Sequence, residues 1–256
     1  MCLLALSWQQ NARYPLVLAS NRDEFLLRPT RPASFWPEHP HLLGSKDLEA
    51  GGSWLLASKQ GRWATLTNIR DGHNLGAGNV SRGELVIQAM QQPLTELPKW
   101  LEANRHNFAG YNLLWGDNNQ AWYFSNGLAQ APYPLSPGLY LLSNAGLNTD
   151  WPKTRRLKKA VETWQTQENC HPSQLFATLT DPTPAKDADL PQTHIGLEKE
   201  RFLSPIFIKG DIYATRTSTL LWQEAKGYWH LHEKNHPTNK ILGNEHYFKW
   251  QSDAPN

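Results

Sequence analysis

The residue with the most specific chemical potential is Cys2, which directly follows Met1. If Met1 is removed, one residue carries both a thiol and a free α-amine. The α-amine titrates at about pH 8, so its neutral form can accept the thiol proton without help from a histidine. This is the arrangement of an N-terminal nucleophile. The alternative is an ordinary buried strand cysteine behind a retained Met1, and the residues alone leave both readings open.

Three apolar runs end in a small hydroxyl residue followed by asparagine, at Ser20-Asn21, Thr67-Asn68 and Ser143-Asn144. This recurrence predicts that the ends of the three strands lie together and form one polar site. The carboxamides of Asn68 and Asn144 can donate hydrogen bonds to a developing oxyanion. Arg22 and Asp23, which follow the first run, can lower the thiol pKa and orient the amine.

Two predicted β-hairpins would bring these groups together. In the first hairpin, placing Trp8 opposite Pro15 sets Cys2 opposite Asn21. In the second, a two-residue turn at Gln60-Gly61 sets Ser53 opposite Asn68. The segment between the hairpins, residues 28–44, is rich in proline, aromatic and histidine residues and is predicted to be an ordered loop.

The remaining pattern predicts two blocks of helices separated by strands. Helices are expected at 82–92, 94–105, 152–167 and 173–179, and strands at 111–115, 121–125, 139–143, 212–222 and 228–232. Helices in blocks around mainly antiparallel strands indicate an α+β layered domain rather than alternating βαβ units. Within the helix at 152–167, Lys153, Arg155, Arg156, Lys158 and Lys159 are expected to form a solvated basic face, or to attract an anionic ligand, membrane headgroup or partner.

Composition, charge and hydropathy exclude several classes of function for this chain. The chain has 256 residues, is 39% hydrophobic and has a mean hydropathy of -0.60, values typical of one globular domain. The formal charge of +2 argues against non-specific nucleic-acid binding. No apolar run approaches the roughly 20 residues that cross a bilayer, so a cytoplasmic protein that does not span the membrane is expected. Two cysteines, Cys2 and Cys170, make no disulfide framework.

Six segments in order along the chain carry a family resemblance. They are Met1-Cys2 with Asn21-Arg22-Asp23-Glu24, Gly51-Gly52-Ser53-Trp54-Leu55, Leu66-Thr67-Asn68, Ser81-Arg82-Gly83-Glu84-Leu85, Leu142-Ser143-Asn144, and Tyr213-Ala214-Thr215-Arg216-Thr217-Ser218-Thr219. Together they strongly resemble the NRDE family, also called the transport and Golgi organisation protein 2 family. The resemblance implies a single domain over 1–256.

The resemblance also implies an N-terminal-nucleophile hydrolase-like fold, a four-layer αββα sandwich within the α+β class. The site pattern looks like that of choloylglycine hydrolases and penicillin V acylases. Carried over, it makes Cys2, Arg22, Asp23, Asn68, Asn144 and Arg216 the candidate catalytic residues. Asn21, Glu24, Trp54 and Arg82 are the candidate ligand-binding residues. Arg22 and Asp23 are adjacent here, whereas the acylases separate the equivalent pair. No metal site is expected.

Two functions follow as expectations. The family association implies a cytoplasmic protein of heme homeostasis that binds, mobilises or delivers heme as a transported ligand, with transient contact to a membrane or acceptor protein. The site pattern implies instead a Cys2-dependent amidohydrolase acting on a small non-peptide amide, with no cofactor required. His230 and His232 would project to one face of a strand, where they are either axial heme ligands or, more commonly, part of a solvent-facing surface.

Overall fold

The computed structural model describes residues 2–72, 78–238 and 242–253, with the backbone alone at Cys2. The strands are β1 (Cys2–Trp8), β2 (Leu16–Phe25), β3 (Thr30–Trp36), β4 (His39–Asp47), β5 (Leu55–Ser58), β6 (Trp63–Asn68), β7 (Tyr111–Gly116), β8 (Ala121–Ser125), β9 (Tyr133–Leu135), β10 (Gly138–Leu142), β11 (Tyr213–Gln223), β12 (Tyr228–Asn235) and β13 (Asn244–Gln251). The helices are α1 (Gly83–Gln91), α2 (Leu97–Ala103), α3 (Pro152–Gln165), α4 (Phe176–Leu179) and α5 (Leu197–Phe202).

The chain forms two compact units, each made of segments that are separate in sequence. The first unit comprises Met1–Leu27, Arg70–His73 and Pro137–Lys249, and the second comprises Arg28–Ile69, Asn74–Ser136 and Trp250–Asn256. A six-stranded sheet in the order β10-β1-β2-β11-β12-β13 belongs to the first unit, and a seven-stranded sheet running from β3 to β9 belongs to the second. All the strand pairings with a described register are antiparallel, so the predicted α+β class is confirmed.

Each unit packs helices against one face of its sheet. In the first unit, Leu157, Val161 and Trp164 of α3 lie in one apolar cluster with Val17 and Ala19 of β2. In the second unit, Leu85 and Ala89 of α1 join a cluster with Leu56, Leu113 and Trp115 of the sheet. This burial of apolar side chains is the main stabilising contribution in each unit. Each unit therefore supplies one helical layer and one sheet layer.

The segment 28–44 is not the predicted loop, because it contains β3 and most of β4. Register shifts lie between Arg31 and Ser34 and between Phe35 and Trp36, so the pairing of these strands is irregular. Pro32 lies within β3, which is the edge strand of its sheet, where a missing N–H is tolerated. The bulges and prolines disguise the period-2 pattern that identifies a strand in sequence.

The helix and strand predictions elsewhere agree with the structure to within a few residues at each end, except that 173–179 is divided between a 3-10 turn at Pro172–Leu175 and α4. The sequence patterns do not predict three further elements, β9, α5 and β13. Within the described ranges, no helix is long and apolar enough to cross a bilayer.

Candidate functional site

The pairing of β1 with β2 sets Cys2 opposite Arg22 and Leu3 opposite Asn21. The predicted pairing of Cys2 with Asn21 is therefore wrong by one residue. The cause is the connecting loop, which is one residue longer than assumed: Gln9 adopts a positive φ of 51° and its N–H donates to Pro15 O at 2.6 Å. Met1 and the side chain of Cys2 lie outside the described part of the chain, so the nucleophile hypothesis stays a prediction.

The Arg22 side chain is only 5% exposed although it carries a charge. Its Nη2 lies 3.8 Å from Glu24 Oε2, which is within ion-pair range but longer than a hydrogen bond. Glu24 is 21% exposed and its Oε1 accepts a hydrogen bond from the Phe25 N–H at 2.9 Å. The structure thus places Arg22 and Glu24 side by side near the end of β2, with Arg22 opposite Cys2.

Asn144 lies at the same end of the first sheet. Leu142 of β10 pairs with Leu4 of β1, so Asn144 follows that pair by two residues while Cys2 precedes it by two. Asn144 is fully buried, and its backbone oxygen accepts a hydrogen bond from the Arg70 N–H at 2.8 Å. Of the three asparagines expected to share one site, Asn21 and Asn144 therefore lie at the same end of this sheet by their backbone positions.

Asn21 and Asp23 extend to the face of the sheet covered by helices. The Asn21 amide donates to Leu179 O and Ile206 O, both at 2.8 Å, and its Oδ1 accepts from Ser218 Oγ at 2.6 Å. Asp23 Oδ1 accepts from Thr215 Oγ1 at 2.6 Å. Asn21 is thus fixed by backbone carbonyls of the helical layer and by β11.

Burial raises the pKa of the Asp23 carboxyl, and the Lys153 ammonium is the largest influence that opposes the rise. Alternation along β2 directs Arg22 and Asp23 to opposite faces of the sheet. Although Arg22 and Asp23 are adjacent in sequence, their side chains therefore point away from each other, one to each face of the sheet.

Arg216 lies at a β-bulge in β11. Thr215 pairs with Asp23 but Thr217 pairs with Arg22, so Arg216 is the extra residue. Regular alternation along this strand would place Ala214, Arg216 and Ser218 on one side, but the bulge reverses the faces after Thr215. The partly exposed Arg216 donates from Nη1 to Phe25 O at 3.1 Å.

A set of buried charges near Asp23 was missed by sequence reasoning. Arg70 Nη2 forms a salt bridge of 2.9 Å with Glu200 Oε2, both side chains being 5% exposed, and the Arg70 guanidinium lies 4.5 Å from the centre of the Trp151 ring. Lys153 is 2% exposed and donates from Nζ to Leu203 O at 3.1 Å. Lys153 therefore does not belong to the solvated basic face predicted for this helix.

A signal for Lys153 does exist in the sequence. Lys153, Leu157, Val161 and Trp164 are spaced by four, four and three residues, which places them on one helix face, and all four are buried. The pairing of Arg70 with Glu200 has no comparable local signal.

Asn68, Trp54 and Arg82 belong to the second unit. Asn68 ends β6, pairs with Tyr111 and is half-buried. Trp54 is 8% exposed, and its backbone oxygen accepts from Thr65 Oγ1 at 2.9 Å. Arg82 donates from Nη1 to Gly110 O at 3.2 Å, and the same carbonyl accepts from the N–H of Ile69, next to Asn68. Arg82 thus reaches the end of β6 where Asn68 lies.

The second hairpin also differs from its predicted register. Leu55 pairs with Thr65 and Ala57 with Trp63, one residue away from the pairing of Ser53 with Asn68. The loop is one residue longer than the two-residue turn that was assumed. Gly61 adopts a left-handed conformation at φ 76°, and its N–H donates to Ser58 O.

Two motif glycines of the second unit have a packing role. A Cβ on Gly52 would lie 2.5 Å from the backbone carbon of Gly83, so the two backbones touch. The Gly51–Leu55 and Ser81–Leu85 motifs are therefore joined by a close contact that excludes any larger side chain.

His230 and His232 share one face of β12, as predicted, but both are engaged by neighbours. His230 is stacked on Trp222 with ring centres 4.6 Å apart, and its ring nitrogens contact Glu224 Oε1 at 2.9 Å and Tyr247 Oη at 2.7 Å. His232 pairs with Glu245. Because His230 is buried, this face of β12 is not simply a solvent-exposed surface.

The backbone positions of Arg22, Glu24 and Asn144 thus bring a cation, a carboxylate and a buried carboxamide to the Cys2 end of the first sheet. Arg22 can pair with an anionic group, and the Asn144 amide is a donor of the kind that stabilises an oxyanion. Such a site suits a small ligand that carries a carboxylate or carbonyl group.

Sequence comparisons with known proteins point to one family. The family model "Transport and Golgi organisation 2" matches residues 1–237. The transport and Golgi organization protein 2 homolog of Bos taurus is 33% identical over 237 residues, and that of Homo sapiens is 32% identical over 233 residues, each covering 84% of both chains.

A crystal structure of the mutant C2A conjugated bile acid hydrolase from Clostridium perfringens aligns over 100% of this chain and 99% of that chain. The TM-score is 0.43 and the identity 11%, a similarity that supports no conclusion about this chain. The family model and the two mammalian relatives do support one, and the chain belongs to the Transport and Golgi organisation 2 family.

Proposed function

We propose that this protein binds heme reversibly at the Cys2 end of the first sheet and hands it on within the cytoplasm. Heme is the ligand class that the family resemblance implies. The observation that carries the proposal is the buried side chain of Arg22, a residue that pairs with Cys2 and whose guanidinium lies 3.8 Å from the Glu24 carboxylate. A buried arginine at the ligand site is the partner that a heme propionate requires.

Glu24 can release Arg22 to such a ligand. Its carboxylate already accepts a hydrogen bond from the Phe25 N–H, so it keeps a partner when a propionate takes its place beside the guanidinium. Replacing one carboxylate by another beside Arg22 leaves the net buried charge almost unchanged, so the exchange costs little free energy. Binding of this kind is reversible, as delivery to an acceptor requires.

Axial ligation by His230 and His232 is not part of the proposal. Both imidazoles have partners within the first unit, and breaking these contacts would oppose ligation. The proposal therefore predicts a heme affinity that depends on Arg22 rather than on this histidine pair.

Heme titration of the full chain tests the proposal. A saturable Soret change with a stoichiometry near one is expected, and Arg22→Gln should weaken binding about tenfold or more because a buried charge-assisted pair is lost. The matched control is Arg13→Gln, which removes an exposed arginine from the opposite end of the same hairpin. The double variant His230→Ala with His232→Ala should bind nearly as the unchanged protein does. A non-saturating titration, or equal losses in Arg22→Gln and Arg13→Gln, would contradict heme binding at this site.

A second candidate is a Cys2-dependent amidohydrolase of a small non-peptide amide. The backbone register supports it, since Cys2 lies opposite Arg22 and at the sheet end that also holds the buried Asn144. Catalysis would need the α-amine of Cys2 as the base, so intact mass must show that Met1 is absent. Cleavage of small acyl amides that is lost in Cys2→Ala and slowed by Asn144→Ala is the expected outcome. A retained Met1 would exclude this mechanism and leave heme binding untouched.

A further inference from the structure

A groove of about 590 Å³ is lined by residues of α3 and α4 in the first unit. Trp164 and Leu175 provide its apolar lining, and Ala160 and Ala177 leave room because their side chains are small. The volume is in the range of small-molecule sites. The groove is built entirely from the first unit and uses none of the candidate site residues.

The charges that line the groove favour an anion. Arg156 and Lys159 of α3 contribute two positive charges and Asp181 contributes one negative charge, while the other polar lining residues are neutral. One Arg156 nitrogen, Nη1, donates to Asp181 Oδ2 at 3.0 Å. The excess positive charge is therefore carried by Lys159 at the rim.

Arg156 retains a donor that its surroundings do not use. Nη2 is shielded from solvent and meets no hydrogen-bond acceptor in the described part of the chain. A shielded donor without an acceptor is unfavourable, so the guanidinium gains a hydrogen bond if that nitrogen turns toward an anion in the groove. The Arg156 side chain is 29% exposed, so part of it borders the groove.

The indole of Trp164 is held in one orientation. Its Nε1 donates to His171 O at 3.0 Å, so the indole presents ring carbons rather than a polar atom at the base of the groove, where the residue is 3% exposed. The hydroxyl of Thr178 and the amides of Gln167 and Gln174 add neutral donors around this wall.

From these features we propose that the groove binds a small organic anion, a carboxylate or phosphate monoester attached to an apolar group of about the size of one ring. Arg156 and Lys159 would bind the anionic group, and the apolar part would lie against Trp164 and Leu175. This site is separate from the one at Cys2 and does not depend on the function proposed for it.

The experiment uses the full chain and two fluorinated probes, 4-fluorophenyl phosphate and 4-fluorophenylacetate, followed by fluorine NMR. At least one probe should bind saturably, and the tighter one identifies the anionic group that the groove prefers. Lys159→Gln and Arg156→Gln should each weaken that probe about tenfold, since each removes one charge-assisted contact. Ala177→Leu should abolish binding by filling the groove at an exposed helical position.

The matched controls come from the same helix. Arg155→Gln and Lys158→Gln remove equal charges at neighbouring exposed positions outside this groove, and both should bind the probe as the unchanged chain does. Equal weakening in these controls, or unchanged binding in Ala177→Leu, would overturn the proposal. So would failure of both probes to bind, or inorganic phosphate binding as tightly as 4-fluorophenyl phosphate, because the apolar wall would then contribute nothing. Thermal unfolding of each variant confirms that the fold is intact.

Discussion

At the scale of single residues, two neighbours in sequence have different roles. Arg22 lies opposite Cys2 with Glu24 beside it, whereas Asp23 lies on the other face, where Thr215 donates to it and Lys153 opposes the rise in its pKa. The Asp23 carboxyl therefore interacts with groups on the helix-covered face of the sheet. Arg22 is the cation that lies at the Cys2 end of the sheet.

The two thiols should differ sharply in reactivity. With Arg22 nearby, the Cys2 thiol should have a lowered pKa and react with iodoacetamide about tenfold or more faster than Cys170 at neutral pH. Cys170 is 7% exposed, and its sulfur accepts a hydrogen bond from Asn11 at 3.5 Å. Peptide mass analysis of the folded protein measures both rates, with Cys170→Ser as the control. Equal slow labelling of the two thiols would remove the nucleophile hypothesis, and Arg22→Gln should slow Cys2 alone.

At the scale of elements, the short helix α5 is held by a buried ion pair. Besides its salt bridge to Arg70, Glu200 accepts from Thr193 N–H at 2.9 Å and from Thr193 Oγ1 at 2.5 Å. One carboxylate thus joins α5, the segment that precedes it and the chain after β6. A six-residue helix is too short to be stable without such contacts.

Removing that carboxylate should leave Arg70 buried without its counter-charge. Glu200→Gln is expected to lower the free energy of unfolding by about 3 kcal/mol, measured by urea denaturation. The matched control is Glu198→Gln on the same helix, whose salt bridge to Arg201 is exposed, and it should have little effect. The double variant Arg70→Met with Glu200→Leu should lose less stability than the sum of the single changes. A Glu200→Gln variant as stable as the control would show that the pair does not anchor α5.

At the scale of the whole molecule, stability should fall in mild acid. Burial lowers the pKa of His236 to about 4, with a further contribution from Lys234, and burial also lowers the pKa of His230 and His171. His236 packs edge-on against Phe207 and contacts Ser218 Oγ at 2.8 Å. Because its folded pKa lies below the unfolded value of about 6.5, the unfolded chain takes up the proton first as pH falls.

The free energy of unfolding should therefore decrease between about pH 6.5 and pH 4, with His236 contributing on the order of 2 kcal/mol after allowance for its partial exposure. Urea denaturation at a series of pH values measures the slope. His236→Gln should flatten the curve in this window and leave the slope below pH 4, where carboxylates protonate, unchanged. Identical slopes for the two proteins would show that His236 does not set the acid limit.

The sequence by itself determined the α+β class, most of the helices and strands, and the family. These follow from local patterns: apolar runs and helical spacing depend on residues only a few positions apart. Counting along the first hairpin also placed Cys2 within one residue of its observed partner on β2.

The exact registers, the bulge at Arg216 and the buried charges were decided only by the tertiary structure. A single left-handed residue in a loop, Gln9 or Gly61, shifts a whole hairpin by one position. Thr215 and Asp23 are 192 residues apart in sequence, so no local pattern reveals their hydrogen bond. The burial of Arg70 and Glu200 likewise depends on distant segments, because a charge is stable in the interior only when the fold brings its partner to it.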